Sequence, residues 1–179
     1  MLLQEKVCVI TGGASARGLG KATARLMAEH GAQIVILDLD KDAANTAARD
    51  VAKGGYGLAC DVTSLDACRE AAETVLEYSG RIDVLVNNAG ISQPLKLMEI
   101  TQENYDAILD VSLRGTLNMS QAVTPTMRSR RAGSITCLAS IASQHSGGLF
   151  GGPHPAAAKA SVIGLAKAMA RELGPDKIR

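Results

Sequence analysis

The feature that most constrains this chain is the stretch Thr11 to Gly20, TGGASARGLG, taken together with the carboxylate at Asp38. The apolar run Val7-Cys8-Val9-Ile10 leads into it and a helical pattern from Lys21 to Glu29 leads out, so it reads as strand, turn and helix. Glycine tolerates positive φ and puts no Cβ between the backbone and a ligand. An anion can therefore reach the unpaired N–H groups at the helix N-terminus. Two spacings fit and both stay open: T-G-x5-G-x-G, with Gly18 and Gly20 as the later glycines, and T-G-x3-A-x-G, with Ala16 and Gly18. Twenty residues beyond Gly18, the run Ile34 to Leu37 ends in Asp38, whose carboxylate can accept hydrogen bonds from a ribose. Pyrophosphate at the turn and ribose at the acid together point to an adenine dinucleotide site.

Short apolar runs alternate with helical patterns along the whole chain, without linker or repeat. Strands are expected at Lys6–Ile10, Gln33–Leu37, Tyr56–Cys60, Ile82–Val86 and Ser134–Leu138. Helices are expected near Gly18–His30, Lys41–Ala52, Ser64–Tyr78, Gln102–Ser129 and Pro155–Leu173. Thr63 with Asp66 reads as a capping box, and Gly31 and Gly80 as helix stops. Strands that are continuous apolar runs are covered on both faces. Five of them separated by helices require right-handed crossovers, giving an α/β fold with a doubly wound parallel sheet in one domain, 1–179. With hydrophobic residues at 46% and aromatics at 2%, the core must be aliphatic and alanine-rich. Gly12, Asp38, Asp61, Asn88 and Ser140 all follow strand ends, and in such sheets the ligand lies at that edge.

These residues resemble the short-chain dehydrogenase/reductase family over the full length of the chain, most nearly its 3-oxoacyl carrier-protein reductase-like members. Cys60-Asp61-Val62 resembles the family's adenine-contacting turn, Asn87-Asn88-Ala89-Gly90 its NNAG turn, and Ser140 and Lys159 its catalytic serine and lysine. The resemblance implies a Rossmann-like sheet in the order 3-2-1-4-5 with a crevice between strands 1 and 4. It assigns cofactor contacts to Gly12, Ser15, Arg17, Gly18, Leu19, Asp38, Asp61, Val62, Asn88, Ala89, Gly90 and Lys159. It also implies hydride transfer between a nicotinamide cofactor and a secondary alcohol or ketone. Two positions depart from the family. Ser112 stands where the family keeps an asparagine, and Pro155 stands where it keeps the tyrosine that transfers the proton. A serine can still hydrogen-bond a water or a carbonyl, but a proline cannot carry a proton. Activity is therefore expected to be impaired, and a non-catalytic NAD-binding or scaffold subunit is the alternative.

Asp38 favours NAD, because a carboxylate beside the ribose repels the extra phosphate of NADP. Arg17 argues the other way, since family members using NADP often carry a basic residue just before the middle glycine. NAD is the expected cofactor and NADP the second choice. Net charge of +1 and a pI near 7.7 offer no attraction to nucleic acid or anionic membrane. Arg128, Arg130 and Arg131 are read as the solvated end of a helix. No metal site is expected. Cys8, Cys60, Cys68 and Cys137 lack C-x-x-C spacing and read as buried, reduced thiols in a cytoplasmic protein. Of the histidines, His30 reads as a helix end, His154 as a capping or solvent-facing group, and His145 as a residue of a glycine-rich loop between Ser140 and Lys159, with a substrate-facing role the lesser alternative. Lys177-Ile178-Arg179 looks like the start of a further strand, so the chain is expected to be truncated relative to its family. A homo-oligomer through helices 102–129 and 155–173 is expected from the resemblance.

Overall fold

The computed structural model describes residues 1–145 and 151–179. Five strands, β1 (Val7–Thr11), β2 (Gln33–Asp38), β3 (Tyr56–Ala59), β4 (Val84–Asn87) and β5 (Ser134–Cys137), form one parallel sheet in the order β3-β2-β1-β4-β5. Val9 lies opposite Val35 on one side and Leu85 on the other, and β1 is buried along its length. The helices are α1 (Leu19–Glu29), α2 (Lys41–Val51), α3 (Leu65–Ser79), α4 (Gln102–Leu109), α5 (Gly115–Arg130), the short α6 (Ala142–His145) and α7 (Pro153–Leu173). Alternate side chains of β1 serve two cores. Val7 and Val9 join Val75, Leu85, Met119 and Val123 on one face, while Cys8 and Ile10 join Ala24, Ile36, Ala44 and Ala48 on the other.

Small residues let the layers approach closely. Ala44, Ala47 and Ala48 of α2 are buried, and a Cβ at Gly57 of β3 would lie 2.2 Å from the Ala44 carbonyl carbon, so any side chain there would push α2 off the sheet. The Gly57 amide instead donates to Asn45 Oδ1 at 2.9 Å. Gly31 and Gly80 both adopt positive φ at helix ends, as expected.

Several local expectations are corrected. β1 and β4 are shifted, β3 and β5 lose their last residue and β2 gains Asp38; β4 begins at Val84, after Asp83, whose carboxylate accepts from the Val7 amide of β1. The cap of α3 is Ser64, whose hydroxyl accepts from the Ala67 amide, while Thr63 bonds backwards to Asp61. The expected helix 102–129 is interrupted by a π turn over Asp110–Arg114, which separates α4 from α5. Ile108, Met119 and Val123 are core residues, and Leu117 is exposed. Arg128, Arg130 and Arg131 are not simply solvated. Arg130 pairs with Asp83, and Arg128 and Arg131 both reach Asp176, tying α5 to the sheet and to the segment after α7. Beyond α7, Ile178 makes a parallel bridge with Gly133 beside β5, in line with the strand start expected there. Among the described residues no helix is long and apolar enough to cross a membrane.

Asp83 is the electrostatic anchor of the sheet's amino edge, opposite the ligand edge. Its side chain, only 7% exposed, accepts from Arg81 at 2.6 and 2.7 Å, from Arg130 at 3.1 Å and from the Val7 amide at 3.0 Å. Burial opposes ionisation, yet these donors outweigh it and hold the carboxyl at about 2, below the ordinary 3.8. A depressed carboxylate stabilises the fold above its unfolded pKa and loses that contribution as pH falls through the folded value. Acidification from pH 5 to pH 2 should therefore cost about 2 kcal/mol of unfolding free energy through this residue alone. In urea titrations Asp83→Asn should be less stable at pH 7, with a gap that narrows towards pH 2.

Candidate functional site

At the carboxyl ends of β1 to β4 lies an open cavity of about 410 Å³. Its floor is set by hydrogen bonds between the glycine turn and the turn after β4. Thr11 Oγ1 accepts from the amides of Asn88 and Ala89 at 3.1 and 3.0 Å, while Asn88 Nδ2 donates to the carbonyls of Thr11 and Gly12 at 2.9 and 2.8 Å. Gly12 adopts φ +65, and a Cβ on it would lie 2.7 Å from Ala89 Cα, so this contact admits glycine alone. Asp38, the last residue of β2, accepts from the Ala14 amide at 2.9 Å through one oxygen and from the Leu39 amide at 2.9 Å through the other. Each oxygen retains a lone pair beside the cavity.

The N-terminus of α1 opens at the same place. Asp40 caps α2 and Ser64 caps α3, but Gly18 gives α1 no side-chain cap, and its first turn carries no acidic residue. The first amides of α1 thus carry unsatisfied donors and the positive end of the helix dipole towards the cavity. A pyrophosphate supplies what these donors lack.

Ten of the residues expected to contact a cofactor line this cavity: Gly12, Ser15, Gly18, Leu19, Asp38, Asp61, Val62, Asn88, Ala89 and Gly90. Arg17 is exposed and does not line it. Lys159 approaches from α7: its Nζ donates to the Leu138 carbonyl at 2.8 Å and lies 3.4 Å from where a Cβ of Gly90 would be. Burial pushes the Lys159 ammonium below its ordinary pKa. Ser140 follows Leu138 by two residues; its Oγ accepts from the Ala142 amide at 3.2 Å, and among the described residues no acceptor takes its hydroxyl proton. The glycine turn, Lys159 and the segment carrying Ser140 thus share one rim. Ser112 is buried in the π turn with its Oγ unpaired among the described residues. A π turn at such a position commonly marks a functional site.

Pro155 lies in the first turn of α7, four residues before Lys159, and Pro153 already occupies the opening position. His154 is not a capping or solvent-facing group. It is 2% exposed, with Nε2 against Gln93 Oε1 at 3.1 Å and Nδ1 without a partner among the described residues. The expectation for His145 lies outside the described residues, since its side chain and the loop 146–150 are not described. Sequence reasoning gave no role to Thr11, although the residue before the first glycine was in view, nor to Leu37, Ile91 and Val111, which join Cys60 in the apolar wall. Continuous apolar strands carry no mark of which residue ends at a cavity.

A parallel doubly wound sheet with an anion-ready helix terminus and an acid beyond the next strand defines the class of dinucleotide-type Rossmann folds. The family described as enoyl-(acyl carrier protein) reductase matches residues 12–179. The chain is 50% identical to an uncharacterised short-chain type dehydrogenase/reductase of Sinorhizobium fredii, over all of this chain and 72% of that protein. It is 40% identical to the 3-oxoacyl-(acyl-carrier-protein) reductase FabG of Thermotoga maritima, over the same shares. A crystal structure of 3-ketoacyl-(acyl-carrier-protein) reductase from Brucella melitensis, complexed with NADH, superposes with a TM-score of 0.92 at 32% identity, covering 99% of this chain and 73% of that one. The chain belongs to the short-chain dehydrogenase/reductase family, whose members are nicotinamide-dependent oxidoreductases.

Replacing Thr11 by valine keeps its shape but strands the amides of Asn88 and Ala89. Thr11→Val should cost about 2–4 kcal/mol in chemical unfolding, whereas Thr11→Ser, which keeps the acceptor, should stay within about 1 kcal/mol of the parent.

Proposed function

We propose that the cavity takes NAD(H), with NADP(H) the weaker ligand, and that the chain is organised for hydride transfer to or from a secondary alcohol or ketone, with proton transfer crippled at position 155. The observation that carries this reading is the uncapped N-terminus of α1 facing a cavity that also presents Asp38, Asp61 and Asn88. When bound, the nicotinamide supplies the hydride chemistry. The chain's own residues hold and orient. Amides of the glycine turn and α1 would accommodate the pyrophosphate, and Arg17 is exposed on that turn. Asp38 offers its remaining lone pairs to ribose hydroxyls, and Asp61 and Val62 border the adenine. Asn88, Ala89 and Gly90 bound the path towards Lys159. With one N–H on Leu138, Lys159 keeps two for a ribose hydroxyl and a developing oxyanion. Ser140 donates its free proton to the substrate oxygen, and buried Ser112 holds a polar group, such as a water, behind it.

Pro155 contributes no proton, which supports a second reading: an NAD-binding or scaffold subunit without turnover. The wider reading includes a homo-oligomer through helices 102–129 and 155–173, on the first of which Tyr105 and Leu117 remain exposed. The names of the relatives make a 3-oxoacyl thioester the first substrate to try.

In fluorescence titrations NADH should bind more tightly than NADPH, and Asp38→Ala should narrow that preference by about tenfold through loss of a charge-assisted hydrogen bond. An unchanged ratio would remove Asp38 from the ribose. Pro155→Tyr should raise ketone reduction by about 10²- to 10⁴-fold. Tight NADH binding without any such gain would favour the scaffold reading.

A further inference from the structure

Two of the four cysteines, all free thiols, meet where β3 passes into α3. Cys60 directly follows β3 and Cys68 lies in the first turn of α3, at 4% and 0% exposure. Their side chains cross. Cys60 Sγ lies 3.8 Å from the carbonyl of Ala67, the residue before Cys68, while Cys68 Sγ lies 3.6 Å from the carbonyl of Val62, two residues beyond Cys60. This reciprocal reach brings the two side chains into one neighbourhood between β3 and α3. The two thiols shift one another in opposite directions: Cys68 and burial push Cys60 up, and Cys60 pushes Cys68 down. Cys60 also lines the 410 Å³ cavity, beside Asp61 and Val62. A small oxidant entering an empty cavity therefore meets a sulfur whose partner is already in place, and a dinucleotide filling it would cover that sulfur.

We infer that Cys60 and Cys68 form a redox-sensitive dithiol, closing to a disulfide with peroxide and reopening with thiol reductants, and that closure lowers dinucleotide affinity. The pair's thiolate attacks one oxygen of hydrogen peroxide, the O–O bond breaks, and hydroxide leaves to take up the proton already released, giving a sulfenic acid and one water. The second sulfur then attacks the sulfenic sulfur. Its proton leaves with the hydroxyl as a second water, and the S–S bond forms. Two electrons pass from the pair to peroxide. The neighbouring Asp61 carboxylate disfavours the thiolate, so the response is slow compared with that of a dedicated peroxidase.

Closure moves the wall of the cavity. An S–S bond of about 2.05 Å draws the two sulfurs together, tightening the segment 60–68 that contains Asp61 and Val62. It also removes the S–H that Cys68 offers to the Val62 carbonyl, leaving Asn118 Nδ2, at 2.9 Å, as that carbonyl's donor among the described residues. The affinity effect rests on the NAD(H) reading above; the disulfide does not.

The test treats the chain with hydrogen peroxide, with and without saturating NADH, then blocks free thiols and maps peptides without reduction. The inference expects loss of two hydrogens, a Cys60–Cys68 link, slower linkage with NADH present, and reversal by dithiothreitol. It also expects NADH affinity to fall by about tenfold or more in the linked form. Cys68→Ala should abolish the link and the loss of affinity, while Cys137→Ser should keep both. Both sulfurs fully blocked after oxidation, or linkage to Cys8 or Cys137 instead, would overturn the dithiol. A Cys60–Cys68 link with unchanged NADH affinity would overturn its control of the cavity. If the reduced chain binds no NADH at all, the functional reading fails, and peptide mapping still decides whether the disulfide forms.

Discussion

Thr11 and Asn88 hold together the ends of β1 and β4, the two central strands that part to make the cavity. Each satisfies backbone groups of the other's turn. The rest of the ligand edge inherits its position from this exchange. Gly20 must lack a side chain because a Cβ there would lie 2.6 Å from Asn88 Nδ2, and α1 can start close to the sheet only on that condition. Asp38 then ties the other side of the glycine turn to β2 through the Ala14 amide. The turn is held from both flanks, and its open amides face the cavity without rearrangement, which is what preorganised binding of an anion requires.

The architecture was legible in the sequence because continuous apolar strands and intervening helical patterns leave few other arrangements. The resemblance supplied the sheet order that the sheet in fact has. The ligand edge was legible for a related reason: glycines and acids placed just after strands are conspicuous against aliphatic runs. What was not legible involves contacts between distant residues. The π turn at Asp110–Arg114 interrupts a stretch that reads as unbroken helix, and nothing in DVSLR signals it locally. His154 looked like a capping residue because it stands between prolines, yet its partner is Gln93, sixty-one positions away. The arginines at the end of α5 looked solvated because their partners, Asp83 and Asp176, are far off in the chain. Ser64 and Thr63 are adjacent and chemically alike, and only backbone geometry decides which of them caps α3.

The site divides into two halves with separate structural origins. The half at the sheet edge gathers ten of the twelve residues expected to contact a cofactor around one cavity, with Arg17 exposed and Lys159 approaching from α7. The half proposed to be catalytic hangs on α7 and the segment after β5, where Lys159 and Ser140 offer donors and Pro155 offers none. Pro153 and Pro155 both lie in the first turn of α7, where their fixed φ suits the start of a helix and no amide is missed. The substitution thus preserves the scaffold that positions Lys159 while removing the proton. Binding and turnover can therefore fail independently, and the arrangement of the sheet edge speaks to binding.

Hydrogen–deuterium exchange with and without NAD+ tests that claim most directly, because it reports where the backbone is covered and needs no turnover. The account predicts slowed exchange at residues 12–20, 38–39, 60–63 and 88–90, with the amino edge around Asp83 unchanged. Exchange unaltered across the glycine turn at saturating NAD+, or protection confined to other parts of the chain, would contradict it.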